Sequence, residues 1–155
     1  MHYLTLQDII WLNLQLTKST GEYDSEPLEE ATFYQYALGD SQGVAAQAAR
    51  FLIGFRKMSP FAEGNEACAF IGMAAFIEAN GQAFDLSDDK GAEWMQGVWE
   101  RPEIAADAIK AKLREAETEV KYGVPDMLEI CGRLIKRYKG TVSALVKPET
   151  APEPS

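Results

Sequence analysis

The chain has 155 residues, 46% of them apolar, so it is long enough to form one domain that buries a core without disulfide bonds. Its net charge of −9 is concentrated in the first hundred residues, and this acidity argues against nucleic acid as a partner, because nucleic-acid binding needs a basic surface. Two cysteines, a start without signal-peptide features and the lack of an apolar run of about 18 residues predict a reduced, cytoplasmic protein with no membrane partner.

The chain has the pattern of consecutive helices with almost no strand-like alternation, which predicts an all-α fold. Thr5 is expected to cap the first helix, with Asp8 in its opening turn and Gly21 as its stop. Pro27 suits the first position of the second helix, which we expect to end at Gly39.

The third and fourth predicted helices flank the most informative segment of the sequence. Asp40 or Ser41 would cap the third helix, whose apolar residues repeat with helical spacing: Val44, Ala48, Phe51, Leu52 and Phe55. The fourth helix, AFIGMAAFIEA, is apolar nearly all the way round and is closed by Asn80-Gly81. A helix without a polar face is buried on all sides, so we predict that it is the central helix of the fold.

The second half of the chain predicts three more helices. Ser87 is expected to cap the helix GAEWMQGVW, and Pro102 to start a long helix that ends near Tyr122. A last helix is expected to start at Pro125 and to span residues 125–139.

The end of the chain has a different composition. Residues 141–155 are rich in Pro, Glu and Thr, which predicts a flexible tail. The predicted domain is therefore 1–140.

Between the third and fourth predicted helices lies the segment SPFAEGNEACA, residues 59–69. It has the outline of a phosphate-binding loop, because a turn at Pro60 is followed by Gly64, which opens a helix, and helix N-termini attract anions. The segment nevertheless contains two acids, Glu63 and Glu66, and no base or cation. The negative charge of the segment would repel a phosphate.

This arrangement resembles the Fic/Doc family, and more closely its short Doc (death-on-curing) branch. The family motif reads His-Pro-Phe-x-Asp/Glu-Gly-Asn, followed by Lys or Gly and then Arg. The residues that match this motif in register are Pro60, Phe61, Glu63, Gly64 and Asn65. The similarity covers roughly residues 3–115, whereas the helix at 125–139 and the tail look like additions. The resemblance implies a single compact helical bundle around a buried central helix.

The motif also departs from the family pattern. Ser59 stands where the family has histidine, and Glu66 and Ala67 stand where Doc has Lys and Arg. In the family, the histidine deprotonates a protein hydroxyl that receives phosphate or a nucleotide from a nucleoside triphosphate. The acid holds Mg²⁺, the Gly-Asn turn binds phosphate, and the arginine neutralises it.

Carried over to this chain, the resemblance implies that Glu63 holds Mg²⁺ if the ion is bound, and that Gly64 and Asn65 contact any nucleotide. The missing base matters, because a positioned base contributes about 10²–10⁴-fold to a rate. Serine does not accept a proton at neutral pH unless another base activates it, and His2 is expected to be an exposed terminal residue. Cys68 is expected to be buried and inert.

Phosphate binding is weakened as well. Glu66 would repel a triphosphate from the helix N-terminus, although it stabilises the helix itself. The nearest cations, Arg50, Arg56 and Lys57, are expected to be solvated on the preceding helix.

Three functional hypotheses follow. In the first, the protein is a degenerate Doc-like protein that is catalytically inactive, needs no cofactor and acts as a protein-binding or regulatory pseudoenzyme, with an antitoxin-like partner or a toxin-system target. In the second, it is a divergent but active transferase that uses ATP or another nucleotide with Mg²⁺. In the third, it is a plain acidic interaction domain for a basic partner. The sequence leaves the oligomeric state open.

Overall fold

The computed structural model describes residues 1–19, 22–37, 39, 42–115 and 125–146. This part of the chain forms eight helices and one two-stranded sheet: α1 (Leu6–Thr17), α2 (Ser25–Phe33), α3 (Val44–Met58), α4 (Asn65–Ala79), β1 (Gln82–Phe84), α5 (Gly91–Glu100), α6 (Ala105–Lys110), β2 (Leu113–Glu115), α7 (Met127–Arg137) and α8 (Lys139–Val146). Short 3₁₀ turns at Asp88–Lys90 and Pro102–Ile104 precede α5 and α6. The described part of the chain is mostly helical, which agrees with the predicted all-α class, but the small two-stranded sheet was not predicted.

The central helix of the fold is α4. All residues from Ala67 to Ile77 are buried, and the helix packs against α1, α3, α7, α8 and β1. Gly72 allows α3 to come close, since a Cβ atom at this position would lie 2.8 Å from the ring of Phe51. The prediction of a buried central helix, which rests on its lack of a polar face, is therefore confirmed.

The start of α1 follows its sequence signals closely. The Thr5 hydroxyl accepts a hydrogen bond from the Asp8 N–H at 3.1 Å, and the Asp8 carboxylate accepts one from the Thr5 N–H at 2.9 Å. This capping box confirms the predicted N-cap. The helix ends at Thr17, and Lys18 takes the left-handed conformation that closes it. The predicted stop, Gly21, lies outside the described residues.

The second helix differs from its prediction at both ends. It begins at Ser25, ahead of Pro27, and ends at Phe33, well before Gly39. The early end has a tertiary cause. The side-chain amide of the buried Gln35 accepts a hydrogen bond from the Leu4 N–H and donates one to the Leu4 carbonyl, both at 2.7 Å. The chain leaves the helix to make these bonds with the N-terminal segment.

The third helix keeps its predicted apolar face. Ala48, Phe51, Leu52 and Phe55 are buried, and Val44 packs at the edge of the core. Gly43 is the N-cap, whereas the predicted caps at positions 40 and 41 lie outside the described residues.

The long helix predicted from Pro102 to Tyr122 is wrong. The helical part of this region, α6, ends at Lys110. The chain then forms β2, which pairs antiparallel with β1 so that Phe84 lies opposite Leu113. Helix propensity is a weak preference, and here the pairing of two strands distant in sequence outweighs it. Residues 116–124 lie outside the described part. Ser87 precedes a 3₁₀ turn and makes no capping hydrogen bond.

The C-terminal helices also differ from their predictions. α7 begins at Met127 rather than at Pro125, and Asp126 caps it by accepting a hydrogen bond from Glu129 N–H at 3.2 Å. Residues 141–146, predicted as the start of a flexible tail, belong to α8, and residues 147–155 lie outside the described part. The Asp88 carboxylate accepts hydrogen bonds from the Gly140 and Thr141 N–H groups, each at 2.8 Å. This distant carboxylate fixes the start of α8.

The N-terminal segment is fixed to the C-terminal end of α4. The Asn80 side chain accepts a hydrogen bond from the His2 N–H at 2.7 Å and donates one to the His2 carbonyl at 3.0 Å. It also donates to the Phe76 carbonyl at 2.7 Å. None of the helices in the described ranges is long and apolar enough to cross a membrane.

Candidate functional site

The candidate site is built around the loop that joins α3 to α4. The loop begins at Ser59, which has a φ of 41° and ends α3 by donating its N–H to the Phe55 carbonyl at 2.9 Å. Its hydroxyl donates to the Arg56 carbonyl at 2.6 Å. Ser59 is therefore a helix-ending residue whose proton is already bonded to the backbone.

The Asn65 side chain fixes the shape of the loop. Its carbonyl oxygen accepts a hydrogen bond from the Phe61 N–H at 2.9 Å, and its amide group donates to the Phe61 carbonyl at 2.8 Å. The Phe61 ring is buried between Phe55 and Tyr23, with ring centroids 6.3 and 6.0 Å away. Both polar atoms of the Asn65 side chain therefore bond to the loop backbone, where they stabilise the fold of the loop.

Gly64 has a φ of 79° and lies hard against α1. A Cβ atom there would lie 2.6 Å from Thr17 Cγ2 and 3.1 Å from the Asn13 side-chain nitrogen. Asn13 is buried and donates to the Glu63 carbonyl at 3.0 Å. The position requires glycine both for its backbone conformation and for its close packing.

The two carboxylates of the loop have partners within the chain. Glu63 Oε1 accepts a hydrogen bond from the Ser19 hydroxyl at 3.0 Å. Arg56 Nε donates to Glu66 Oε1 at 3.4 Å, and the Arg56 guanidinium lies 4.5 Å from the centre of the Trp99 ring. Arg56 is therefore held by an acid on one side and by an aromatic face on the other.

These residues line a cavity of about 700 Å³, which we call the motif cavity. Its walls come from the loop, from α3, from α5 and from the end of α8: Arg56, Ser59, Ala62, Glu63, Gly64, Asn65, Glu66, Ala92, Met95, Gln96, Trp99, Ala144, Leu145 and Val146. Sequence reasoning missed the contribution of α8, because it assigned these residues to the tail. The apolar spacing of Val142, Leu145 and Val146 is the signal that could have found it.

The structure brings five of the eight predicted motif positions into this cavity and leaves three outside. Pro60 and Phe61 line a neighbouring depression, where the backbone of residues 60–62 pairs with that of residues 22–24. Ala67 is fully buried and is not among the described residues that line the cavity.

The predicted nearby cations lie at different places on α3. Of the three, Arg56 lines the motif cavity, whereas Arg50 and Lys57 line a separate groove formed by α3 and α6. Arg50 donates to the Tyr36 carbonyl. The motif cavity therefore holds two carboxylates, Glu63 and Glu66, and one guanidinium among its described residues.

The single histidine cannot act as a base at this site. His2 is bonded through its backbone to Asn80, just beyond the far end of α4. The helix has 15 residues, so at 1.5 Å per residue its ends lie about 22 Å apart.

Neither cysteine is suited to act as a nucleophile. Cys68 and Cys131 are buried free thiols. Burial raises the pKa of Cys68 well above its ordinary value. Burial, with the negative charges of Asp8 and Glu78, raises the pKa of Cys131 to about 12. Both residues therefore remain protonated at neutral pH and act as small apolar residues of the core.

Several polar groups around the N-terminus of α4 already have partners within the chain. The described residues contain no group of three or more His, Cys, Asp or Glu side chains that could hold a metal ion. The side chain of Asn65 is bonded to Phe61, and Glu66 places a negative charge in the first turn of α4. A polyanion entering here would have to displace Glu66 from Arg56 before it met an available cation.

Comparisons with protein-family models, with curated proteins and with solved structures found no match.

Proposed function

We propose that the protein is a catalytically inactive protein of the Doc-like type that acts by binding a protein partner. The observation that carries this proposal is the state of Arg56, the cation among the described residues of the motif cavity, which is paired with Glu66 and stacked on Trp99. Phosphoryl transfer depends on positioning and on neutralising charge that develops on the phosphate. A site whose cation is bound by its own acid supports a role in binding rather than in catalysis.

The state of Ser59 supports the same proposal. Its hydroxyl proton is bonded to the Arg56 carbonyl, and no described imidazole lies near it. Loss of a positioned base alone lowers a rate by about 10²–10⁴-fold. The loop keeps Gly64 and Asn65 for reasons of folding, so these residues are compatible with the absence of the reaction.

Incubation of the purified protein with radiolabelled ATP, Mg²⁺ and cell lysate tests the proposal. We expect no labelled protein above the level without added protein. The matched control is Glu63→Gln, which removes the charge of the predicted Mg²⁺ ligand and leaves the Asn13 bond to the Glu63 backbone in place. Labelling by the wild type that disappears in Glu63→Gln would contradict the proposal.

The second candidate is a divergent but active transferase for ATP or another nucleotide. The observation that favours it is the 700 Å³ cavity, which still contains Glu63, Gly64 and Asn65. A ligand that binds the folded state raises the melting temperature. A rise with nucleotide and Mg²⁺ together, lost in Glu63→Gln, would favour this candidate, whereas an unchanged melting temperature counts against it.

The nature of the partner is part of the proposal. An antitoxin-like protein or a target from a toxin system would bind a Doc-like protein, whereas a plain acidic interaction domain would bind a basic partner with no involvement of the loop. Pull-down experiments with Glu63→Gln and Asn65→Ala distinguish these cases. Binding that is unaffected by either change favours the plain interaction domain.

A further inference from the structure

A second concave site lies away from the motif cavity, between the N-terminal segment and α2. It has a volume of about 320 Å³, and we call it the aromatic concavity. Its walls and floor are Tyr3, Leu4, Thr5, Leu6, Glu29, Thr32, Phe33 and Tyr36.

Three aromatic rings form a cluster at this site, and two of them are exposed. Phe33 is 56% exposed and Tyr36 is 37% exposed. The ring centroids of Tyr3 and Tyr36 lie 4.3 Å apart, and those of Phe33 and Tyr36 lie 5.5 Å apart. Large aromatic side chains left on the surface in one cluster are typical of a binding surface, because they are the residues that contribute most at protein interfaces.

The floor of the concavity is held rigidly from below. Tyr3 lies 6.1 Å from the Phe76 ring of the central helix. Leu4 is buried and is bonded through both of its backbone groups to the side chain of Gln35. A preformed surface loses little conformational entropy when a partner binds, so this site is well prepared for a ligand.

The segment of the chain that contains α2 is acidic. Residues 22–37 contain five acids and no Lys or Arg: Glu22, Asp24, Glu26, Glu29 and Glu30. Glu29 lines the concavity and is exposed, and it makes no ion pair with the described residues. The nearby cation is Arg50, which donates to the Tyr36 carbonyl, while its guanidinium lies 5.9 Å from the Tyr34 ring and lines the groove along α3.

We infer that the aromatic concavity binds a basic segment of a partner protein, with a cationic side chain over the aromatic rings and beside Glu29. Aromatic faces attract cations, and a carboxylate adds a charge-assisted hydrogen bond. Arginine fits better than lysine, because its planar guanidinium stacks on rings while it binds a carboxylate. This inference rests on the protein-binding part of the proposed function, which the Doc-like protein and the plain interaction domain share, and it adds the surface and the chemistry of the partner.

Calorimetric titration with synthetic peptides tests the inference. The probe is a peptide with several arginines, and its comparison is the same peptide with glutamine in place of arginine. We expect the arginine peptide to bind and the glutamine peptide not to bind. Phe33→Ala should weaken binding by about tenfold, the range of a moderate interface hot spot.

Two charge variants on α2 provide the matched comparison. Glu29→Gln and Glu26→Gln remove the same charge from the same exposed helix, but Glu29 lines the concavity and Glu26 does not. We expect Glu29→Gln to weaken binding at least about threefold more than Glu26→Gln, because a directly paired charge contributes more than a distant one. Since Glu29 is exposed, this comparison remains informative even if Phe33→Ala affects folding.

Three results would overturn the inference. The first is failure of the arginine peptide to bind, and the second is equal weakening by both charge variants, which would show diffuse attraction to an acidic surface. The third is a concentration-dependent dimer that Phe33→Ala disrupts, which would assign the surface to a second copy of this chain. These titrations contain no nucleotide, so a failure to bind the peptide contradicts only this inference. Labelling of protein with ATP would instead contradict the proposed inactivity.

Discussion

The motif cavity and the aromatic concavity differ in whether their functional groups already have bonding partners within the chain. In the motif cavity, the polar groups of Ser59, Asn65 and Glu66 all bond within the chain. In the aromatic concavity, Phe33 and Glu29 face solvent, and Glu29 has no ion-pair partner among the described residues. Groups that already have partners must lose them before they can act on a ligand, whereas exposed groups without partners gain by binding. Resemblance to a catalytic motif and readiness to bind therefore lie at different places in this molecule.

The largest expected difference between the two regions is in stability. Phe61→Ala removes a ring that is 5% exposed and packed on Phe55, so it should lower the free energy of unfolding by about 3–5 kcal/mol. Phe33→Ala removes a ring that is 56% exposed and should change it by no more than about 0.5 kcal/mol. Urea unfolding measures both values, and similar losses would abolish the distinction between a fold-forming ring and a binding ring.

The next effect concerns the glycine of the loop. Gly64→Ala forces a side chain onto a φ of 79° and against Thr17, and we expect a loss of about 2–3 kcal/mol in unfolding free energy. Gly97→Ala is the control, because Gly97 lies in α5 and a Cβ atom at this position would have no neighbouring atom of the described residues within 4 Å. That change should stabilise the protein by about 0.5–1 kcal/mol. A neutral result at Gly64 would mean that the loop is not held against α1.

The third effect concerns α8, which forms one wall of the motif cavity. Asp88→Ala removes the acceptor for the N–H groups of Gly140 and Thr141, and should cost about 0.5–2 kcal/mol, the range for loss of a helix cap. Hydrogen exchange at the α8 amides should rise more than exchange at α4. Unchanged protection of α8 would show that the helix is held by apolar packing alone.

The hydrogen bonds that the Asp88 carboxylate accepts from Gly140 and Thr141, here called the clamp, have a pH dependence with a defined sign. Burial alone would raise the pKa of Asp88, but the hydrogen bonds from Thr141 and Gly140 outweigh it and hold the pKa below its ordinary value of 3.8. Because the folded-state pKa is the lower one, the clamp stabilises the fold above pH 3.8, and this stability is lost as the pH falls through the folded-state value. Melting temperatures measured down the acid range should fall more steeply for the wild type than for Asp88→Asn.

The smallest effect compares a half-buried glutamate of the motif cavity with an exposed glutamate of the aromatic concavity. Glu66→Gln breaks the ion pair with Arg56 and should cost about 0.2–1 kcal/mol, less at high salt. Glu29→Gln breaks no ion pair among the described residues and should be neutral within about 0.5 kcal/mol. Binding of inorganic phosphate, followed by NMR shifts of the α4 N-terminal amides, should appear in Glu66→Gln and not in Glu29→Gln. Equal behaviour of the two variants would show that Glu66 is not what blocks anions at the loop.

The parts of the fold that were predictable are those determined by nearby residues. The capping box from Thr5 to Asp8 spans only four residues, and α4 has no polar face along its length. The pairing of β1 with β2 depends on residues about thirty positions apart, and neither three-residue strand has a pattern of its own. The formation of α8 likewise depends on Asp88, more than fifty residues away.

The candidate site was predictable to the same extent. The motif identified the loop, including Ser59, Gly64 and Glu66, because its residues are consecutive. Asn13, which donates a hydrogen bond to the loop, and Trp99, which forms part of the cavity wall, come from helices elsewhere in the sequence. No local pattern indicates them. Sequence thus revealed what the loop contains, while packing determines which of its groups remain available.

The Asn80-Gly81 turn has a consequence for the chemical ageing of the protein. Asparagine is among the thermolabile residue types, and slow hydrolysis of its amide produces a carboxylate. At position 80 the amide donates to the carbonyls of His2 and Phe76, so the carboxylate would face two acceptors with no hydrogen to offer. The N-terminal segment would then lose these bonds to the end of α4, whereas the bonds between Leu4 and the Gln35 side chain would remain. Protein stored warm should therefore have a less firmly held N-terminus beside its aromatic concavity, while its motif cavity, at the other end of the same helix, is unchanged.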